Sequence, residues 1–297
     1  MPIIYMLENF INFLTYEKRL SSHTICAYQT DLNQLFSYLQ TNFQIAELSH
    51  ATSKLLRSWI MELAKQGLNN RSINRKIASL KAFYGFLYKK EYIPSDITTQ
   101  LTGLKVKKGL PIFLREQELL HLLDEHPFTD DFEGWRARLI LELLYSTGIR
   151  LQELINLQDR DINFYDRTIR VLGKRNKERI LPLPKHILPI IEGYLQQRNT
   201  IIANAPAHFF VTTNNKPCYP MLIYKLVKSY LASYTQADRH SPHILRHTFA
   251  THLLNRGADL QAIKELLGHT SLAATQVYTH NSMEKLKEIF LQAHPRA

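Results

Sequence analysis

The sequence predicts a mainly α-helical chain carrying one small β-hairpin and divided into two domains. Three features predict this: four amphipathic helical patterns before residue 95, a basic stretch rich in breakers that follows them, and a single change of hydrophobic period, from helical to two, between Asp161 and Pro182. At 297 residues, with 45% hydrophobic and 21% charged residues, the chain has a globular composition and exceeds one ordinary core. Domains are expected over residues 1–95 and 112–297, with a linker over 96–111.

The first helix is marked by Leu7, Phe10, Ile11 and Leu14 at helical spacing and ends at a polar break through Ser21 and Ser22. Ser22 is expected to cap the second helix, which runs to about Leu39 with Tyr28, Leu32, Leu35 and Phe36 inward. The third spans roughly Thr52 to Lys65 and stops at Gly67. The fourth starts near Asn70, aligning Ile73, Ile77, Leu80, Phe83, Tyr84 and Leu87 on one face and leaving Arg71, Arg75, Lys76 and Lys81 for another. Pro94 closes the bundle. The stretch Thr98–Pro111, with Lys105, Lys107, Lys108 and Gly109, lacks periodicity and reads as a basic tether.

The second domain opens with helices near Arg115–Glu125 and Trp135–Tyr145, the latter stopped by Thr147 and Gly148; another begins at Arg150. Thr168–Leu172 and Arg179–Leu181 form the arms of the hairpin, its tip at Lys174–Lys177. Helices resume over Ile187–Gln197, Tyr219–Tyr234 and from Ser241, followed by a helix capped by Asp259 and ended by Gly268, and by a short one from about Ser271. Leu286, Ile289 and Phe290 mark a last helix too short to stand alone.

Lys and Arg total 37 against 26 Asp and Glu, a formal net charge of +11, so a polyanion is the natural partner. Residues 1–108 hold fourteen basic and seven acidic residues, which makes the smaller piece the more basic, as expected of a grip on phosphates. Cys26 and Cys218 are far apart and in no metal-ligand spacing, which favours a reducing compartment over a disulfide framework. No stretch has the length of a membrane span, and the first ten residues carry Glu8 and no base, unlike a secretory signal.

Ser241, Pro242 and His243 make a helix start, with Ser as cap and Pro at the first position, so free amides and a positive dipole end lie beside His243. Arg246, three residues on, shares that face, and the pair can reach one phosphate. His269 follows a helix-ending glycine. Tyr278 offers a phenol that becomes a nucleophile if neighbouring cations stabilise its phenolate or a base takes its proton during attack. Arg150 is followed by Glu153, which can fix its guanidinium, and Lys174 is an ammonium able to protonate a leaving oxygen.

The motifs Thr147-Gly148-Ile149-Arg150 with Glu153-Leu154, Leu172-Gly173-Lys174 with Asn176-Lys177-Glu178-Arg179, His243-Ile244-Leu245-Arg246-His247, Leu267-Gly268-His269 and Tyr278-Thr279-His280 resemble those of the tyrosine recombinases, or phage integrase family, and over nearly the whole chain its Xer branch, the XerD type especially. The resemblance implies a two-domain clamp, a four-helix SAM-like core-binding domain with a catalytic domain carrying the sheet. It also implies that Arg150, Lys174, His243, Arg246 and His269 activate a phosphate for attack by Tyr278, giving an O-(3′-phospho-DNA)-tyrosine without metal, cofactor or ATP. Implied partners are double-stranded DNA, a homo- or hetero-tetramer with a paralogous recombinase, and the FtsK DNA translocase, in a cytoplasmic protein that resolves chromosome dimers at cell division. The last helix would pack on its own domain or, as the resemblance implies, be donated cyclically to a neighbouring protomer. Arg71, Arg75, Lys76, Lys105, Lys107, Lys108 and Arg175 are expected to contact DNA; Arg175 stands where the family commonly has glycine.

Three other readings remain at this stage: an integrase or transposon recombinase of the same chemistry, a helical DNA-binding regulator without catalysis, and a metal hydrolase built on His243, His247 and His252. The last lacks a carboxylate on the same helix turn.

Overall fold

The computed structural model describes residues 3–45, 50–106, 112–173, 178–202, 207–268 and 280–296. Two compact units divide between Gly109 and Leu110. None of the described helices is long and apolar enough to cross a membrane.

The first unit is built from α1 (Ile3–Asn12, continued by a π turn over Phe13–Glu17), α2 (Ser22–Phe43), α3 (Ser53–Lys65) and α4 (Asn70–Lys89). Phe10, Leu32, Leu35, Leu39, Leu56, Ile73, Leu80 and Phe83 bury completely or nearly so at its centre. Ser21, not Ser22, caps α2 by accepting from the Thr24 amide, while Thr52 and Asn69 cap α3 and α4 in the same way. Ser22 is the first helical residue, since Ser21 is the one with extended backbone.

One charged residue leaves its expected face. Lys76 is buried, its ammonium bonded to Asp31 Oδ1 at 2.9 Å and to Gln34, and it lies over the Trp59 ring. Asp31 is fully buried on α2, so an acid in the core has drawn the lysine inward, with Ser79 and Arg75 as its other donors. Lys76 therefore ties α2 to α4 instead of facing phosphate. Arg71, Arg75 and Lys105 are exposed; Lys107 and Lys108 lie outside the described residues. The expected tether packs in its first part: Leu101 is buried, Asn74 bonds both the amide and the carbonyl of Leu104, and Asn70 donates to the Lys105 carbonyl.

The second unit is organised around α6 (Phe132–Thr147), which is apolar on every side from Leu139 to Tyr145 apart from Glu142 and packs against both α8 (Ile187–Ile201) and α10 (Pro242–Asn255). Around it stand α5 (Glu116–Glu125), α7 (Leu151–Ile155), α9 (Pro220–Tyr234), α11 (Leu260–Leu267) and α12 (His280–Ala293). The sheet is antiparallel in the order β1 (Ile162–Asn163), β2 (Thr168–Leu172), β3 (Glu178–Pro182), with Val171 opposite Arg179 and Ile169 opposite Leu181. The tip over Lys174–Lys177 lies outside the described residues, as do Arg175 and the helix expected from Ser271.

The tail docks on its own unit. Leu286, Phe290 and Ala293 join the core of the second unit, with Phe290 beside Phe249 and stacked on His294. Arg296 then bonds Glu142 at 2.8 Å and Asp124 at 2.6 Å.

Candidate active site

Gly148 ends α6 in the left-handed conformation, and a Cβ there would stand 2.5 Å from the Phe249 ring, so only glycine allows both the turn and the approach of α10. The chain then extends through Arg150, whose amide donates to Glu153 Oε2 at 2.9 Å and whose guanidinium donates to Glu153 Oε1 at 2.8 Å. The sequence pairing of Arg150 with Glu153 thus has a geometric basis: the carboxylate caps α7 and aims the guanidinium at once.

Arg246 arrives from α10. Ser241 caps this helix by accepting from the Ile244 amide, Pro242 occupies its first position, and His243 is exposed on the first turn with Arg246 buried one turn deeper. The Arg246 guanidinium donates to the carbonyls of Gly148 and Leu267.

Both guanidinia meet the end of α11. Arg150 donates to the Gly268 carbonyl at 3.0 Å, and Arg179, from β3, donates through Nε to the Leu266 carbonyl at 3.0 Å. Three consecutive carbonyls, of Leu266, Leu267 and Gly268, are thus each held by a different arginine. A helix leaves its last carbonyls unpaired and carries partial negative charge at that end, so cations are the natural cap.

Arg179 also grips Glu153 with both terminal nitrogens, each at 2.7 Å. Burial alone would raise the Glu153 carboxyl, but the Arg179 fork, then the amide and side chain of Arg150, outweigh it and hold the acid below the usual range. Three guanidinia around one carboxylate leave the site positive. Burial first, then Arg150 and Arg179, bring Arg246 down to about 9, which still leaves it charged at neutral pH but disfavoured there. An anion placed among these groups removes that penalty. Each of Arg150 and Arg246 has five N–H groups and spends two on the bonds above, so donors remain for the oxygens of a phosphate.

The structure brings Arg150, Glu153 and Arg246 together. Lys174, His269 and Tyr278 lie outside the described residues, although Gly268, which precedes His269, is fixed by Arg150. Of the three histidines on α10, His252 is buried and both its ring nitrogens are engaged, by the Tyr145 hydroxyl and the Leu114 carbonyl, so it belongs to the packing of the unit and not to a set with His243 and His247. Arg179 was legible only as part of a strand. Its signal is its phase, since alternation along β3 sets it inward with Leu181, and a charge at an inward position requires a partner.

Comparison with known proteins agrees with this fold. The model of the phage integrase family matches residues 113–285, and that of the phage integrase N-terminal SAM-like domain matches residues 7–91. The tyrosine recombinase XerD of Staphylococcus haemolyticus is 35% identical over 98% of this chain and 99% of its own, and the tyrosine recombinase XerC of Chlorobaculum parvum is 34% identical over 98% and 94%. In fold, the chain is similar to the XerH site-specific recombinase in a post-cleavage complex with palindromic difH substrate, with a TM-score of 0.72 at 19% identity over 95% of this chain and 93% of that one. A Tn1549 transposon integrase in complex with circular intermediate DNA gives 0.67 at 21% identity, over 94% and 98%. With the mainly helical two-unit architecture, the small antiparallel sheet and relatives matched almost from end to end, the chain belongs to the phage integrase family of tyrosine recombinases.

Proposed function

We propose that this protein is a site-specific DNA recombinase that cuts and rejoins duplex DNA through a 3′-phosphotyrosyl link at Tyr278. The observation that carries the reading is the cluster of Arg150, Arg246 and Arg179 around Glu153, a fixed positive pocket in a chain of this family.

The Tyr278 hydroxyl gives up its proton to a neighbouring base or to solvent as its oxygen attacks the scissile phosphorus, and the bond to the 5′-oxygen breaks as that oxygen takes a proton from Lys174 and leaves as a hydroxyl. Arg150 and Arg246 bind the non-bridging oxygens, with His243 and His269 donating to the same phosphate as charge gathers on it. The released 5′-hydroxyl of one duplex then attacks the phosphotyrosine of its partner. One phosphoester replaces another, so the chemistry needs no ATP. Arg71, Arg75, Lys105, Lys107 and Lys108 in the first unit and Arg175 in the second are assigned to the phosphate backbone. In keeping with relatives named XerC and XerD, we assign it the resolution of chromosome dimers in the cytoplasm, and we assign as its partners a homo- or hetero-tetramer with a paralogous recombinase and the FtsK translocase.

The test is incubation with a nicked duplex bearing a candidate chromosomal recombination site. A denaturant-resistant protein–DNA adduct is expected from the native chain and none from Tyr278→Phe; an adduct with the variant overturns the assignment.

A further inference from the structure

Arg179 stands on the inner face of the sheet, opposite Val171, with 5% of its side chain exposed. Every polar atom of its side chain is engaged inward, Nε by Leu266 and the two terminal nitrogens by Glu153. Its fork is spent on Glu153, and the two N–H groups left over belong to a side chain that is 5% exposed. Its stem also fills the space beside Gly268, where a Cβ would meet Arg179 Cδ at 3.1 Å. A lysine could balance Glu153 but, as a point charge on a flexible stem, could not hold a carboxylate and a carbonyl in one plane.

We propose that Arg179 is a positioning residue for phosphoryl transfer, locking the end of α11 and the Arg150 guanidinium into one geometry. The proposal rests on the reading of this site as a phosphodiester-transfer centre. Through Glu153, Arg179 sets the direction of Arg150; through Leu266, and by filling the space at Gly268, it sets the point from which the chain continues to His269. It also begins the return from the hairpin tip, one residue after Glu178 opens β3, so strand and helix end share a single anchor. Groups that orient reacting side chains without touching substrate typically change activity by about 10- to 100-fold.

The experiment uses the full-length protein, with Arg179→Lys, Glu153→Gln and the double variant. Single-turnover formation of the covalent adduct is measured on the nicked duplex, equilibrium DNA binding is measured as a function of salt, and amide exchange is followed at residues 266–268 without DNA. Arg179→Lys is expected to slow adduct formation by about 10- to 100-fold, to leave affinity and its salt slope unchanged, and to speed exchange at 266–268. On the Glu153→Gln background it should add less than about twofold, because both changes break one coupled unit. Cleavage by Arg179→Lys within about twofold of the native rate, full additivity of the two changes, or a loss of DNA affinity in step with cleavage overturns the proposal. If the native chain forms no adduct, the transfer-centre reading falls and the catalytic part of the inference with it, while the exchange data still decide whether Arg179 clamps α11.

Discussion

Glu153 and Arg179 meet through two hydrogen bonds of 2.7 Å each, and because the same carboxylate also accepts from Arg150, one buried acid joins the strand that leaves the hairpin to the start of α7. Breaking a buried pair by neutralising one partner leaves uncompensated charge, at a cost of about 3–5 kcal/mol. Glu153→Gln keeps the shape and removes the charge. It should lower the unfolding free energy of the second unit by that order, seen as a shifted denaturant midpoint with an unchanged slope. A shift under about 1 kcal/mol would show the carboxylate to be screened there, contrary to its burial.

Among the described residues, Arg246 is the guanidinium whose charge is most disfavoured in the protein alone, so it has most to gain from an anion. Its depressed pKa, about 9, is a folded-state penalty for a base; it is fully developed below that value and therefore constant through neutral pH. Sulfate or inorganic phosphate should raise the melting temperature more than chloride at equal ionic strength, and Arg246→Lys should abolish the difference. In adduct formation the same variant should lose about 10²- to 10³-fold, the effect of removing one donor to developing charge.

Lys76 and Arg71 separate burial from phosphate contact within α4. Replacing exposed Arg71 by alanine should reduce the magnitude of the slope of log affinity against log salt by about one unit. Lys76→Met, in contrast, should leave that slope alone and destabilise the first unit, because it strips a cation from the fully buried Asp31. Equal changes in salt slope for the two variants would contradict the inward placement of Lys76.

Local chemistry was legible at the ends of several elements. Ser241 and Pro242 announced the start of α10, Gly148 and Gly268 the ends of α6 and α11, and the period of two placed the paired arms of the hairpin. What stayed hidden depends on partners far along the chain. Lys76 reads as a surface base until Asp31, 45 residues earlier, is seen to be buried against it, and Arg179 reads as a strand residue until Glu153 and Leu266 are brought beside it. The strand β1 is two residues long, too short for any period, and the choice between Ser21 and Ser22 as cap turns on which backbone is extended. The tail docks on its own unit through contacts no local pattern announces, such as Arg296 on Glu142, which spans 154 positions.

That docking revises what truncation does. Removing everything after Asn281 takes Leu286 and Phe290 out of the core, and full burial of such side chains contributes about 1.5–3 kcal/mol each. The shortened protein should bind DNA nearly as the full chain does, fail to assemble into higher oligomers on it, and melt at a lower temperature. Sedimentation on a two-site duplex and a thermal scan check the two effects separately; an unchanged melting temperature would refute the packing role, and recombination at the native rate the exchange role.

The tail should also loosen in acid, and the sign follows from His294. Burial, above all, holds this imidazole down to about 3, and its Nε2 has no hydrogen-bond partner among the described residues, so the docked form is neutral. Around it stand Arg296, His186, His252, Tyr145 and Glu142; the three basic groups resist a further positive charge, and Glu142 is already bonded to Arg296. A histidine freed from this packing takes up a proton near its ordinary value of about 6.5. Since the folded value is the depressed one, the stability is complete above about pH 6.5 and drains away as pH falls toward the folded value. Between about pH 7.5 and 5.5, before ordinary carboxylates titrate, amide exchange over residues 286–296 should accelerate while that of α6 stays constant. His294→Leu keeps an apolar contact with Phe290 and cannot take a proton, so its tail should exchange at a rate independent of pH once the intrinsic amide chemistry is divided out; a tail that loosens equally in that variant would place the sensitive group elsewhere.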